Sequence, residues 1–265
     1  MEVSEKSIMR YLKGTTSISE ARDIPLLVEV RNSKFISHAQ LFELMRFRSL
    51  EYCREAFTWR VRRLVRGEYI SQMDGDFGRG AIVYRIARRG LVQLENHCQS
   101  AVVLNAETAH LPHPSLIHHS LELNEIRLAL AHKNLLLAWK SDIEIASENT
   151  ISTSPLAKDY DAIVDVWNQD KAARFGLEYE RSIKSTQRYE RIRKRLESED
   201  VLNPILYLTS ADGLARHLAD QLATTPKRLA FTTTKAFRES LLDAMVITLI
   251  DEPRVPFRSL LGGVF

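Results

Sequence analysis

The sequence has few of the features that mark a secreted or membrane protein. Only two cysteines, Cys53 and Cys98, occur among 265 residues, and they form no pairing or metal-ligand pattern. We therefore expect neither a disulfide framework nor a thiolate zinc site. No run approaches roughly 18 consecutive apolar residues, and no basic flank followed by an apolar stretch opens the chain. These absences predict a cytoplasmic protein that makes no membrane contact.

Several common catalytic signatures are also missing. The chain has no glycine-rich phosphate loop with Lys-Ser/Thr, no serine elbow and no dinucleotide fingerprint. Four histidines, His110, His113, His118 and His119, do lie close together, but the proline-containing segment around them offers little rigid frame for zinc. We expect His119 to cap or pack at the start of the helix that follows. No resident cofactor is predicted, apart from Mg²⁺ if the chain is an active nuclease.

Length and charge indicate a two-domain protein with a basic N-terminal half. The chain is 45% hydrophobic and 27% charged, as in ordinary globular proteins, and 265 residues are enough for two domains of about 100 to 150 residues. The net charge of +3 is unevenly distributed, because residues 1–100 contain 17 Lys and Arg against 12 Asp and Glu. A basic excess of this kind favours contact with nucleic-acid phosphates.

Helical periodicity predicts three helices near the N-terminus. They span residues 24–33, residues 38–46 with Ser37 as N-cap, and residues 49–66 before Gly67. The apolar face of the third helix carries Cys53, Phe57, Val61 and Leu64. Together with Arg54, the residues of its opposite face are predicted to contact DNA: Thr58, Trp59, Arg62, Arg63 and Arg66. The alternative is that these arginines only solvate an ordinary helical face.

Two β-prone runs follow the third helix. Residues 69–73 and 81–86 flank a glycine-rich tip and predict a hairpin. Three helices followed by a hairpin is the order of a winged helix-turn-helix domain, so the third helix would enter the major groove, and Arg79 at the tip would reach the flanking backbone or minor groove. Because one winged helix rarely gives enough specificity, we expect a homodimer on double-stranded DNA with a palindromic site.

The second half of the chain alternates between helices and strands. After a helix over residues 88–107, prolines mark a linker over 108–117. Further helices are predicted near residues 116–133, 185–198 and 214–222, and strands at 135–139, 143–146, 162–167, 175–179, 205–208 and 229–232. This alternation predicts an α/β layer with a mixed central sheet. The expected domains are therefore residues 1–107 and 118–265, in a chain of α+β or α/β class.

Two carboxylates, Asp161 and Glu178, end neighbouring predicted strands, and Glu144 on the preceding strand would point the same way. Converging carboxylates of this kind hold Mg²⁺ in phosphodiester hydrolysis. Glu180 stands where such sites commonly have lysine, and Lys184 would have to act from a shifted position. In an active enzyme, the catalytic residues would therefore be Asp161, Glu178, Glu180 and Lys184, with Asp161 and Glu178 as the metal ligands.

The alternative for these acids is a structural ion network with Arg181, Arg188 or Arg191. The helix predicted over residues 185–198 has basic residues interleaved with Glu190, Glu197 and Glu199. Mixed charges favour a solvated helix with internal ion pairs over a phosphate-tracking surface. If the predicted carboxylates lie in a nuclease-like cleft that holds DNA, this helix is the expected wall of that cleft.

Residues 118–200 resemble the replication-relaxation family of plasmids and other mobile elements. The resemblance rests on residues 119–124 (His-Ser-Leu-Glu-Leu-Asn), on the strands with Trp139 and Glu144, on residues 159–162 (Asp-Tyr-Asp-Ala), and on residues 177–181 (Leu-Glu-Tyr-Glu-Arg) before a helix with Tyr189. It implies a winged helix ahead of a domain related to the PD-(D/E)xK nucleases. The family is one that keeps an acidic residue in place of the usual lysine, as at Glu180.

These observations predict a sequence-specific DNA-binding protein with a degenerate nuclease-like domain. It would serve as a transcriptional regulator or as a replication or mobilisation accessory factor of a mobile element. The alternatives are a Mg²⁺-dependent DNA endonuclease targeted by its winged helix, and an adaptor whose second domain binds only proteins.

Overall fold

The computed structural model describes residues 17–73, 75, 77, 81–97, 99, 113–153, 155–199 and 201–262. Within these residues the chain forms nine α-helices and a five-stranded mixed sheet, which confirms a mixed α and β fold. The helices are α1 (Asp23–Asn32), α2 (His38–Phe47), α3 (Arg54–Arg66), α4 (Arg88–Asn96), α5 (Pro114–His132), α6 (Asp142–Ile151), α7 (Thr186–Glu197), α8 (Asp212–Gln221) and α9 (Thr234–Ser240).

Ten strands accompany them in these residues. They are β1 (Ile36–Ser37), β2 (Ile70–Met73), β3 (Val83–Ile86), β4 (Leu136–Ser141), β5 (Ala162–Asn168), β6 (Lys171–Glu180), β7 (Ile205–Thr209), β8 (Leu229–Thr233), β9 (Met245–Val246) and β10 (Val255–Pro256). None of the helices in the described ranges is long and apolar enough to cross a lipid bilayer.

The N-terminal elements enclose a core of their own. Helices α1, α2 and α3 pack around fully buried side chains such as Leu26, Leu41 and Phe57, beside a small antiparallel sheet of order β1-β3-β2. The predicted hairpin is confirmed, since β2 and β3 pair from Ile70↔Ile86 to Met73↔Val83. The predicted cap of α2 is also confirmed, because Ser37 and Gln40 form a reciprocal capping box.

Helix α3 is shorter than predicted and begins at Arg54 instead of Ser49. Ser49 has a positive φ of 58°, which ends the preceding helical segment, and buried Glu51 is held by Arg60 at 2.6 Å in a non-helical turn. Cys53 therefore precedes the helix and is exposed, so its assignment to the apolar face was wrong.

Helix α4 also ends earlier than predicted, at Asn96. Nδ1 of His97 lies 2.9 Å from the carbonyl of Gln93 at this helix end. Most of the remaining predicted helix, like much of the predicted linker, lies outside the described residues.

The second sheet has the order β4-β5-β6-β7-β8. Strands β4, β5 and β6 are antiparallel, whereas β6, β7 and β8 are parallel, so the predicted mixed sheet is confirmed. Side chains alternate between its faces. Phe175 and Leu177 of β6 join the core beneath α5 and α9, while Ile205 and Tyr207 of β7 join the core beneath α7 and α8.

Three elements near the sheet differ from the prediction. Residues 143–146 are helical, because Ser141 and Glu144 form a capping box that starts α6. Glu144 is consequently no strand carboxylate. Helix α5 takes up residues 114–117 of the predicted linker, since the His113 side chain accepts a hydrogen bond from Ser115 N and Pro114 occupies the first turn. Helix α9 was not predicted.

Helix α5 connects the two sets of elements. Its Asn124 side chain donates to the carbonyl of Phe35 at 3.0 Å, and the Gln40 side chain of α2 donates to the carbonyl of Leu121 at 2.9 Å. On the same helix, Arg127 forms an ion pair with Glu29 of α1, which is almost fully buried. These contacts bring the turn after α1 close to the ends of β5 and β6.

Candidate functional site

A cleft of about 1010 Å³ lies where these elements meet. Its walls are the turn after α1, the start of α5, the segment before β5, the end of β6 and one face of α7. The four predicted catalytic residues all line it: Asp161, Glu178, Glu180 and Lys184. The predicted DNA contacts on α3 do not line this cleft.

Strand pairing places the acids together on the cleft floor. Ala162 pairs with Leu177 between antiparallel β5 and β6, so the adjoining positions Asp161 and Glu178 are neighbours. Glu178 and Glu180 point to the same face because strand side chains alternate. Both glutamates are only 6% exposed. The predicted meeting of Asp161 and Glu178 is thus present in the structure.

Asp161 is held by hydrogen bonds from two directions. Its Oδ2 accepts from the backbone N–H of Tyr179 at 2.7 Å and lies 3.3 Å from Nε2 of His119. Nε2 of His119 is also 3.2 Å from the carbonyl oxygen of Tyr179, and the His119 and Tyr179 rings stack with their centroids 5.2 Å apart. His119 therefore binds the cleft carboxylate and packs on Tyr179 near the start of α5, which confirms the packing form of the prediction, whereas it does not cap the helix. The cap is His113.

His119 and Asp161 shift each other's pKa. Burial alone would lower the pKa of His119, but its hydrogen bond and charge interaction with Asp161 raise it above the usual value. For Asp161, burial acts to raise the pKa, and the hydrogen bond and charge of His119 outweigh it, so the pKa is lowered. Both shifts favour an imidazolium–carboxylate pair.

Glu178 has a different environment. Its Oε2 lies 2.7 Å from Nζ of Lys158, whereas its Oε1 is buried without a hydrogen-bond partner among the described residues. Burial raises the pKa of Glu178 to about 7, with Lys158 opposing the shift and Asp161 adding to it. Tyr207, the register partner of Glu178 on β7, also has a buried hydroxyl without a partner in this part of the chain.

Two further lysines pair with cleft acids. Lys184 contacts Oε1 of Glu180, and Lys34 contacts Oδ2 of Asp142. The alternative prediction, that the acids pair with Arg181, Arg188 or Arg191, was wrong in its partners. Lysines and His119 take that role, and the Arg181 side chain donates to the carbonyl of Ser115 at 2.9 Å.

The acids of the cleft include candidate ligands for Mg²⁺. Among the residues described, no three His, Cys, Asp or Glu side chains are grouped as metal ligands. Mg²⁺ can bind through one or two carboxylates together with substrate phosphates and water. Asp161 and Oε1 of Glu178, which accepts no hydrogen bond from any described residue, fit that smaller donor set, whereas Lys184 already contacts one oxygen of Glu180.

Helix α7 turns a basic stripe toward the cleft. Arg188, Arg191 and Arg195 line it at spacings of three and four residues, and all three are exposed. None of them forms a salt bridge with a carboxylate in the described ranges. Glu199 is turned inward, where its carboxylate accepts from the Tyr160 hydroxyl and the backbone N–H of Ala157, each at 3.1 Å. The predicted solvated helix is therefore confirmed along this stripe, whereas no ion pair between its arginines and Glu190, Glu197 or Glu199 is present among the described residues.

A second basic surface lies on α3. Arg54, Arg62, Arg66 and Trp59 are exposed, and Trp59 is 66% accessible. Thr58 is half-buried, with its hydroxyl 3.2 Å from Nε2 of His38. None of these three arginines forms a salt bridge within the described residues. Burial lowers the pKa of His38, and the charges of Arg54 and Arg62 lower it further.

Arg63 differs from the other predicted DNA contacts on α3. It is bound to the buried carboxylate of Asp23, and its guanidinium carbon lies 5.8 Å from the Trp59 ring centroid. Arg60 also approaches Asp23, at 3.4 Å. Arg63 thus ties α3 to α1. The predicted contact Arg79 lies outside the described residues.

Sequence reasoning missed Lys158, Tyr207 and the role of His119. Lys158 stands three residues before Asp161 in the segment that enters β5, a spacing that offered a signal. The proximity of Tyr207 depends on the parallel pairing of β6 with β7, which local pattern does not encode. Comparison with protein-family models, with curated proteins and with solved structures finds no match for this chain.

Proposed function

We propose that this protein binds double-stranded DNA sequence-specifically and reads its site with α3. The observation that carries the proposal is the exposed face of α3, on which Arg54, Arg62 and Arg66 have no carboxylate partner among the described residues, next to exposed Trp59. Unpaired guanidinium groups on a rigid helix suit hydrogen bonding to base edges and phosphates.

The surrounding elements support this reading. The order α1-β1-α2-α3-β2-β3 corresponds to the predicted winged helix, in which α3 would enter the major groove and the β2–β3 hairpin would approach the flanking backbone. We propose a homodimer on a palindromic site, because one such module contacts few base pairs.

For the second domain we propose a degenerate nuclease-like fold. Asp161 and Glu178 on adjoining strands of a mixed sheet, with Glu180 in place of lysine, support it. The resemblance to the replication-relaxation family extends this to a setting, in which the protein acts as a transcriptional regulator or as a replication or mobilisation factor of a mobile element.

The test compares Arg62→Ala/Arg66→Ala with Arg193→Ala/Lys194→Ala, a double variant that removes the same charge from a face of α7 outside the cleft. A site recovered by binding selection from random duplexes serves as the probe. We expect the α3 variant to lose about 1 to 3 kcal/mol of binding free energy for each arginine that touches a base, and the control to lose little. Equal affinity of the α3 variant and the wild type in a gel-shift titration would remove the proposal.

Mg²⁺-dependent DNA hydrolysis is the second candidate function. The buried Oε1 of Glu178, which lies beside Asp161 and has no hydrogen-bond partner in the described part of the chain, favours it. These two residues would hold the ion, which would polarise a phosphate and activate water. His119 would keep Asp161 ionised and oriented.

A further inference from the structure

Three of the four arginines of α7 line the cleft and form no ion pair with its acids among the described residues. Arg188, Arg191 and Arg195 form one stripe along the helix, exposed and directed to the cleft. The stripe extends over seven residue steps from Arg188 to Arg195, or about 10 Å of helix. That length corresponds to roughly three base-pair steps of about 3.4 Å along the axis of a duplex.

The stripe differs from the lysines of the cleft and from Asp161, each of which has a partner of opposite charge. Lys158, Lys184 and Lys34 are each neutralised by a carboxylate, and Asp161 is paired with His119. The positive charge of the stripe is not neutralised within the described residues, although it lies next to an acidic floor. Arginines without ion-pair partners along one wall of an open cleft can form charge-assisted hydrogen bonds to successive phosphates of a nucleic acid.

We propose that the stripe of Arg188, Arg191 and Arg195 binds the phosphodiester backbone of nucleic acid lying along the cleft. This inference rests on the proposed DNA binding for its ligand and adds a second, sequence-independent contact surface to α3. Phosphate contacts of this type set position and salt dependence but carry no direct sequence information.

The chain offers a matched control on the same helix. Arg188→Ala/Arg191→Ala removes two charges from the stripe, and Arg193→Ala/Lys194→Ala removes two charges from residues that do not line the cleft. Alanine is the best helix former, so neither change should disrupt α7, and circular dichroism checks this. Arg188→Lys/Arg191→Lys keeps the charge and serves as the rescue variant.

The affinity for a random-sequence DNA duplex and for one of its single strands is measured over a range of salt concentrations. The slope of log affinity against log salt should become less steep by about 1.8 for a duplex or about 1.4 for a single strand in Arg188→Ala/Arg191→Ala. It should stay near the wild-type value in the control and in the lysine variant. The nucleic acid that shows the loss identifies the form held in the cleft.

Two results would overturn the inference. One is an unchanged slope in Arg188→Ala/Arg191→Ala with both nucleic acids; the other is an equal loss in the control, which would indicate a general charge effect. The Arg62→Ala/Arg66→Ala variant separates this inference from the proposed function. If only the stripe variant loses DNA affinity, the proposed role of α3 is wrong and the inference about the stripe is supported. If only the α3 variant loses affinity, the proposed role of α3 is supported and the inference about the stripe is wrong.

Discussion

Nζ of Lys158 lies 2.7 Å from Oε2 of Glu178, while Oε1 of the same carboxylate is buried and has no hydrogen-bond partner among the described residues. Only one of the two carboxylate oxygens of Glu178 thus has a described partner in the folded protein. A carboxylate in this position is costly to ionise, because burial disfavours its charged form more than one lysine favours it.

The first prediction concerns the pH dependence of stability. The pKa of Glu178 rises from 4.5 to about 7 on folding, so between these values the folded state holds a proton that the unfolded state has lost. The contribution of Glu178 to the free energy of unfolding should therefore fall as pH rises through this window, by on the order of a few kcal/mol.

Glu178→Gln removes this titration. Measured by urea denaturation at several pH values, the difference in unfolding free energy between Glu178→Gln and the wild type should move in favour of the variant as pH rises from 4.5 to about 7. A difference that does not vary with pH, or that moves toward the wild type, would contradict the assigned burial of this carboxylate.

The second prediction concerns His119. Because Asp161 supports its imidazolium against the effect of burial, the wild-type protein should show His119 titrating above its usual value of 6.5. In Asp161→Asn the supporting charge is gone and burial remains, so the midpoint should drop. NMR titration of the His119 imidazole signal measures the midpoint in the wild type and in Asp161→Asn.

Asp165→Asn is the control for this experiment. Asp165 also lies on the β5 segment, but it pairs with Arg174 at 2.6 Å instead of His119. The His119 titration should be the same in Asp165→Asn and the wild type. A His119 midpoint that is equally low in the wild type and Asp161→Asn would show that the pair does not form in solution.

Local sequence pattern predicted the elements whose signals are local. Ser37 with Gln40, the two β-prone runs that pair as β2 and β3, and the apolar alternation of β5 all produced the expected structure. The pattern failed at residues 143–146, where an apolar alternation was outweighed by the capping box of Ser141 and Glu144.

The site was only partly predictable for a physical reason. Asp161 and Glu178 meet because an antiparallel pair brings adjoining strand ends together, which strand order alone suggests. Lys184 was assigned to the site, but the ion pairs that Lys158, Lys184 and His119 form with the acids were not, because choosing among several nearby cations requires the paths of the chain around the cleft. The same holds for Arg63, which the helical pattern places with Arg62 but which Asp23 draws inward.

The third prediction compares two helical glycines. A Cβ added at Gly90 of α4 would lie 2.2 Å from the carbonyl oxygen of Tyr69 and 2.6 Å from Cδ1 of Ile86. The backbone contact cannot relax cheaply, so Gly90→Ala should destabilise the protein by about 1 to 3 kcal/mol. A Cβ added at Gly213 of α8 would meet no atom of the described residues within 4 Å, so Gly213→Ala should stabilise the protein by up to roughly 1 kcal/mol. Thermal or urea unfolding of both variants measures the difference. If both substitutions raise stability, α4 does not pack against the start of β2 as closely as described.

The last prediction separates the two candidate functions. A nuclease needs carboxylate oxygens free to hold Mg²⁺ and a cation placed on the attacking water. In this cleft Lys158 and Lys184 are held by Glu178 and Glu180, and Glu180 stands where the catalytic lysine is expected. We therefore expect the wild-type protein to leave supercoiled plasmid intact with Mg²⁺ or Mn²⁺, while still binding DNA.

The Asp161→Asn variant should bind DNA at least as tightly as the wild type, since the substitution removes a negative charge from beside the arginine stripe. Metal-dependent cleavage by the wild type that disappears in a folded Asp161→Asn protein would reverse this conclusion, because Asp161 then holds the ion and the pairing of the lysines is a resting arrangement that substrate displaces.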